Sequence, residues 1–203
     1  MKSTLTSRLL IGSLLLIAAM ALPVSTANAT PIIYTATLSG AAEAPPNASP
    51  GTGSATVVYN DALHTLRVDF TFSGLTGTTT ASHIHAATAA PGVGTAGVAT
   101  QLPTFSGFPL GVTAGSYLST LDMTLASSYN PAYVTAHGGT AGSAEVALAQ
   151  ALADGKAYLN IHTTFAPGGE IRGFLEPVPE PASLILFGTG IAGIGARRLR
   201  RRR

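Results

Sequence analysis

Histidines carry most of the chemistry this chain of 203 residues can offer: His64, His83, His85, His137 and His162. There is no cysteine, which excludes disulfides, thiol nucleophiles and thiolate metal sites. No G-x-S-x-G elbow, P-loop or H-E-x-x-H helix is present. His83-Ile84-His85 is the informative pair. On a strand, residues i and i+2 share a face and stand about 6.6 Å apart along it. With Ile84 turned to the core, both imidazoles face the same way and can close on one ion. His162 lies on the polar side of its own segment, opposite Ile161. If that segment neighbours the first, three imidazoles converge, a set suited to Cu, Zn or Ni. His137, just before Gly138-Gly139, is the candidate fourth ligand, with a solvated position as its alternative. His64 falls in a turn and reads as solvated. The competing interpretation makes all of them ordinary hydrogen-bonding side chains that shape a Gly-rich loop; spacing alone does not separate the two. The cofactor expectation is therefore Cu or Zn, or none. Glu170 and Arg172 read as a structural ion pair, with orientation of a histidine as a second role for Glu170. No nucleophile–base constellation is visible, so the expectation is a protein that is not an enzyme.

The elements that must position these groups are strands. Thr65 to Phe72 places Leu66, Val68, Phe70 and Phe72 in strict alternation with polar residues, which predicts a strand with one buried face. Tyr34 to Leu38 and Ser54 to Tyr59 are weaker examples. Asn60-Asp61 begins a turn, so Ser54–Tyr59 and Thr65–Gly74 are expected to form a hairpin. Ala157 to His162 alternates again. With the Pro167-Gly168-Gly169 turn and the segment Glu170 to Leu175 it predicts a second hairpin. Ser143 to Ala153, free of proline and glycine, predicts one short helix. Ser127 to Gly139 reads as a loop with one helical turn at most. The Gly/Ala/Thr/Pro-rich stretch from Thr76 to Gly115 is expected to hold short strands and prominent loops. The sum is a mainly β protein, an antiparallel β-sandwich.

Both ends of the chain read as targeting signals. Lys2 and Arg8 precede an apolar run from Leu9 to Leu22, and Ala27-Asn28-Ala29 is a small-x-small cleavage pattern, so residues 1–29 are expected to be a signal peptide cut after Ala29. At the other end Pro179-Glu180-Pro181 precedes an apolar helix over Ala182 to Ala196, then Arg197, Arg198, Arg200, Arg201, Arg202 and Arg203. Fifteen helical residues reach about 22 Å against an apolar bilayer core of about 30 Å. Snorkelling arginines make up part of the difference, and the positive-inside rule keeps them cytoplasmic. The tail therefore predicts a short membrane anchor. It also supplies most of the basic charge. Between Thr30 and Pro181 there are three basic and nine acidic residues, a net charge of −6. The exported part is acidic, and nucleic acid is excluded as a partner on electrostatic grounds.

Three ordered motifs add a family resemblance. Leu38-Ser39-Gly40-Ala41-Ala42-Glu43-Ala44-Pro45-Pro46 looks like the opening motif of CHRD domains. Ala81-Ser82-His83-Ile84-His85 resembles that family's A-H-I-H segment. Ala157 to Thr163 together with Pro167 to Gly173 resembles its closing motif. The resemblance places a CHRD-like β domain at residues 30–176 and implies association with a cell surface or extracellular matrix, without implying catalysis. Residues 177–203 resemble a PEP-CTERM sorting tail, which implies an exosortase-type processing enzyme as partner and a Gram-negative envelope, with an inner-membrane-anchored precursor and then a surface or extracellular location. Exopolysaccharide or other envelope components are the further partners that such a tail implies. A fainter likeness is to copper–zinc superoxide dismutase, a sandwich with an H-x-H strand, and to immunoglobulin-like sandwiches. Only the metal-binding H-x-H is carried over from the former, because its cysteine pair and zinc loop have no counterpart here.

Overall fold

The computed structural model describes residues 30–179. The signal peptide with Ala27 and Ala29, residues Glu180 and Pro181 of the sorting motif, the apolar segment and the arginine cluster lie outside the described residues. Among the described residues no helix is long and apolar enough to cross a membrane.

Eight strands carry the fold: β1 (Ile32–Ser39), β2 (Thr52–Asn60), β3 (Thr65–Ser73), β4 (Thr79–His85), β5 (Gly115–Asp122), β6 (Tyr158–Thr163), β7 (Ile171–Phe174) and β8 (Glu176–Pro177). Two helices, α1 (Pro131–Ala136) and α2 (Ala141–Ala153), lie between β5 and β6. The mainly β, antiparallel expectation holds. The strands form one continuous sheet in the order β4-β6-β7-β1-β2-β3-β5, with β8 added beside β1. That sheet curls into a half-barrel, so its own curvature wraps the core that a sandwich would enclose between two separate sheets.

The two hairpins form where the alternation places them. β2 and β3 pair in full register from Thr52↔Ser73 to Asn60↔Thr65. The turn between them is closed by the Leu63 amide donating to the Asn60 side chain at 3.0 Å. β3 sends Leu66, Val68, Phe70 and Phe72 inward, all at most 4% exposed. Ile84, Leu159, Ile161 and Ile171 meet them from β4, β6 and β7, and Leu148 and Leu152 of α2 complete the same core.

The helical region is more ordered than its sequence suggests. α2 starts two residues before the expected Ser143, because Thr140 and Ser143 cap its first turn reciprocally. Asn130 caps α1, with Pro131 in the first turn where its missing N–H is no loss.

The long connection from β4 to β5 covers an otherwise open edge. The Ser82 carbonyl accepts from Phe105, the Ile84 carbonyl from Ala99, and the Thr79 amide donates to Val112. Phe105 then stacks on Tyr117 of β5 with ring centroids 5.4 Å apart. The Gly-rich stretch thus contributes one strand, β4, and an edge cover that keeps β4 from pairing with other chains.

Candidate metal centre

β4 and β6 are adjacent and antiparallel, with His83 opposite Asn160, His85 opposite Tyr158 and Ala81 opposite His162. Opposite residues share a face. His83 and His85 therefore stand in line along β4, and His162 lies diagonally across on β6, within reach of both. The inner faces of the two strands feed the core. The outer faces lie under the β4–β5 connection and the turn after β6, so His83 and His85 are 5% and 7% exposed.

The hydrogen bonds fix the tautomers. A carbonyl oxygen only accepts, so a ring nitrogen facing one carries the proton. His83 Nε2 donates to the Pro103 carbonyl at 2.7 Å. His85 Nδ1 donates to the Ala96 carbonyl at 2.9 Å. His162 Nδ1 donates to the Pro167 carbonyl at 2.9 Å. Each remaining nitrogen, Nδ1 of His83 and Nε2 of His85 and of His162, presents a lone pair. The His83 Nδ1 is buried without a partner. The other two face each other at 3.4 Å, where two lone pairs repel unless a cation or a proton stands between them.

One ligand atom from each of the three histidines lies within 4.8 Å of the other two. Tetrahedral bonds of 2.0–2.1 Å require nitrogens about 3.4 Å apart. The His85–His162 pair already meets that separation, and 4.8 Å bounds the distance from each of them to a ring nitrogen of His83. Burial holds the pKa of His83 and of His85 down to about 4, more strongly than their carbonyl partners raise it. Burial lowers that of His162 as well. Three imidazoles that stay neutral with backbone-anchored outer nitrogens form a ligand set for a borderline transition metal.

Beside them lies a polar cluster whose connections the sequence did not reveal. Asn160 pairs across the sheet with Arg172 of β7 as well as with His83. Arg172 donates to the carbonyls of Ala42, at 2.5 Å, and Gly94, at 2.9 Å. Its guanidinium lies 4.7 Å from the Tyr158 ring centroid, and its Nε is 3.8 Å from Glu43. Burial raises the Glu43 pKa to about 7, against the lowering pull of Arg172. Glu43 Oε1 and Asn160 Oδ1 are buried without partners, like His83 Nδ1. The signal for Glu43 was in the sequence: it is the lone acid of the opening motif.

The expected Glu170–Arg172 pair does not form. Glu170 precedes β7 and turns to the opposite face. There its carboxylate accepts from the hydroxyls of Ser49 and Thr163, both at 2.5 Å, and from the amides of Thr76 and Gly77 at 2.5 and 3.0 Å. It orients no histidine. His137 stands apart from the cluster. Its Nδ1 donates to the Tyr133 carbonyl at 2.8 Å at the end of α1, so the structure does not bring it in as a fourth ligand. His64 is half exposed but not simply solvated: its Nδ1 is 2.9 Å from the buried Glu145 carboxylate.

Comparison with known families agrees with the motifs. The CHRD domain profile matches residues 34–175. The chain belongs to the CHRD family. All three histidines, Glu43, Asn160 and Arg172 lie inside the CHRD domain. The PEP-CTERM protein-sorting motif matches residues 177–202. That motif marks an exported protein recognised by exosortase-type processing at the membrane of Gram-negative bacteria. No curated protein and no solved structure matches the chain.

Proposed function

We propose that this CHRD domain is a metal-binding module of the cell envelope, with His83, His85 and His162 holding one Cu or Zn ion. The observation that supports it is the gathering of one nitrogen from each of three histidines within 4.8 Å, with every ring anchored to a backbone carbonyl. A set of merely structural histidines has no need to gather on one face or to leave a ring nitrogen buried without a partner. Glu43, Asn160 and Arg172 form the polar wall beside the ion. The protein acts without catalysis, as a surface or matrix component. The PEP-CTERM tail, with its arginine cluster and apolar helix, holds the precursor in the inner membrane until an exosortase-type enzyme processes it near Pro179-Glu180-Pro181, and the domain then reaches the cell surface.

Metal analysis of the full chain purified from its native envelope tests the proposal. The expected result is close to one equivalent of Cu or Zn, and a rise in melting temperature when the metal-stripped protein is titrated with the same ion. Absence of metal, together with no thermal shift for either Cu(II) or Zn(II), would overturn it. Deleting 182–203 tests the tail separately: the domain is expected in the soluble periplasmic or secreted fraction, and retention in the membrane contradicts the assignment.

A further inference from the structure

The two edges of the sheet are finished differently. β4, at one end of the strand order, is covered by the connection that follows it. β5, at the other end, pairs with β3 alone. The direction of its backbone groups follows from its flanks. The Met123 amide donates to the His64 carbonyl, and the Thr113 carbonyl accepts from the Leu75 amide, so the odd-numbered residues of this segment turn their polar groups towards β3. These groups alternate along an antiparallel strand, so the amides and carbonyls of Ser116, Leu118 and Thr120 point away from β3. Among the described residues they have no backbone partner. The side chains of the same three residues are exposed, that of Leu118 by 62%. The usual protections of an edge are missing. From Gly115 to Leu121 there is no proline, no lysine and no charge, and the register with β3 runs without a bulge.

We propose that β5 is the seam of a two-fold dimer, paired antiparallel with β5 of a second copy of this chain. The strand is its own complement. With the two-fold axis at Leu118, Leu118 meets Leu118 of the partner subunit on the outer face, and Ser116 lies opposite Thr120 of the partner subunit. The outward amides and carbonyls then close about six interchain hydrogen bonds. Leu118 leaves water against an identical side chain, and hydroxyl faces hydroxyl on either side of it, both favourable cross-strand pairs. The one charge of the strand, Asp122, falls beyond these pairs, so two acidic domains bring no like charges together along the seam. A register shifted by one residue would set Leu118 against the inner-face Ser119, so the outer-face pairing is the specified one. A foreign strand would have to carry the same apolar residue between two hydroxyls, which a second copy supplies by symmetry. The seam spans eight residues. That is short against the roughly 1,600 Å² of a standard interface, which makes the dimer micromolar rather than nanomolar. No histidine stands on β5, so this seam and the metal reading stand or fall separately.

Sedimentation equilibrium of the full chain in detergent tests this. The expected result is a monomer–dimer equilibrium in the micromolar range, weakened about tenfold or more by Leu118→Lys. Leu118 is exposed, so that variant should melt at the parent's temperature. Thr120→Pro removes one outward N–H, spares the ladder to β3 and should weaken the dimer as well. Because the chain has no cysteine, Leu118→Cys reports the axis directly. A short bifunctional thiol reagent should join two copies through it, and should not do so through Val146→Cys, which is exposed on α2. In a mixture, Ser116→Cys should join Thr120→Cys faster than it joins itself. The tail is the same in every variant, so association through it produces none of these differences. A chain that stays monomeric up to roughly 0.1 mM, a dimer indifferent to both Leu118→Lys and Thr120→Pro, Leu118→Cys joined no faster than Val146→Cys, or no preference of Ser116→Cys for Thr120→Cys would each overturn the proposal.

Discussion

Glu170, just before β7, and the His83–His85–His162 face of β4 and β6 both bury polar groups, but the protein treats them in opposite ways. Around Glu170 every demand is met. Two hydroxyls and two backbone amides converge on one carboxylate and tie three separate chain segments together. On the histidine face the ring N–H groups are satisfied and acceptors are left open: His83 Nδ1, Asn160 Oδ1 and Glu43 Oε1 have no partner. A buried polar group without a partner costs about 1–3 kcal/mol. A satisfied cluster stabilises a fold. An unsatisfied one, held in place by a satisfied frame, is the arrangement that the proposed metal site would use. The two buried glutamates show the same divide. Burial pushes the Glu170 carboxyl up, but its four hydrogen bonds outweigh that and hold it below the usual range. For Glu43 burial outweighs the Arg172 charge and the Ala44 amide, and its carboxyl is raised to about 7.

The largest test of this contrast is removal of the satisfied centre. Glu170→Ala leaves two hydroxyls and two amides without their acceptor, and we expect a loss of about 3–5 kcal/mol in chemical denaturation. A loss under about 1 kcal/mol would place Glu170 among incidental contacts. Because its folded pKa is depressed, its contribution is present above the unfolded value of about 4.3 and disappears as pH falls through the lower folded value.

The histidines give the next effect, with the opposite sign of burial. The folded pKa values of His83 and His85, near 4, lie below the unfolded value of about 6.5. The unfolded state binds more protons between the two, so stability is fully present above pH 6.5 and declines as pH falls towards 4. The expected observation is a metal-free protein whose melting temperature drops across that window, and a drop that shrinks in His83→Ala. A flat profile would mean that the rings are not buried as described. Bound metal at a hundredfold excess over its dissociation constant should add about 2.7 kcal/mol in the parent, and nothing comparable in His83→Ala.

Glu43→Gln should be milder. A raised carboxyl pKa makes stability fall as pH rises from about 4.3 to about 7. The neutral amide should flatten that limb and leave stability at pH 5 within about 1 kcal/mol of the parent. The smallest effect belongs to His137→Ala, which we expect to leave metal stoichiometry unchanged. Loss of metal in that variant would restore His137 as a ligand.

How far these features could be read from sequence follows their range along the chain. β3 and its hairpin with β2 are written in alternating residues and a local turn. The His83–His85 pair is likewise local, since two residues on one strand must share a face. The meeting with His162 was only a condition, because the β4–β6 register depends on pairing across 77 residues. Burial of both sides of β6 was invisible, since its outer face is covered by loops with no periodicity. Glu170–Arg172 failed for an instructive reason. Spacing of two places side chains on one face only while the strand continues, and Glu170 stands just before β7 begins. Arg172 instead meets Glu43, from the far end of the domain.

X-ray absorption on the metal-loaded full chain tests the central claim most directly. The account predicts three imidazole nitrogens at about 2.0–2.1 Å around one Zn or Cu, with that shell broken in His83→Ala, in His85→Ala and in His162→Ala alike. A shell of oxygens, or one unchanged by these substitutions, would contradict it.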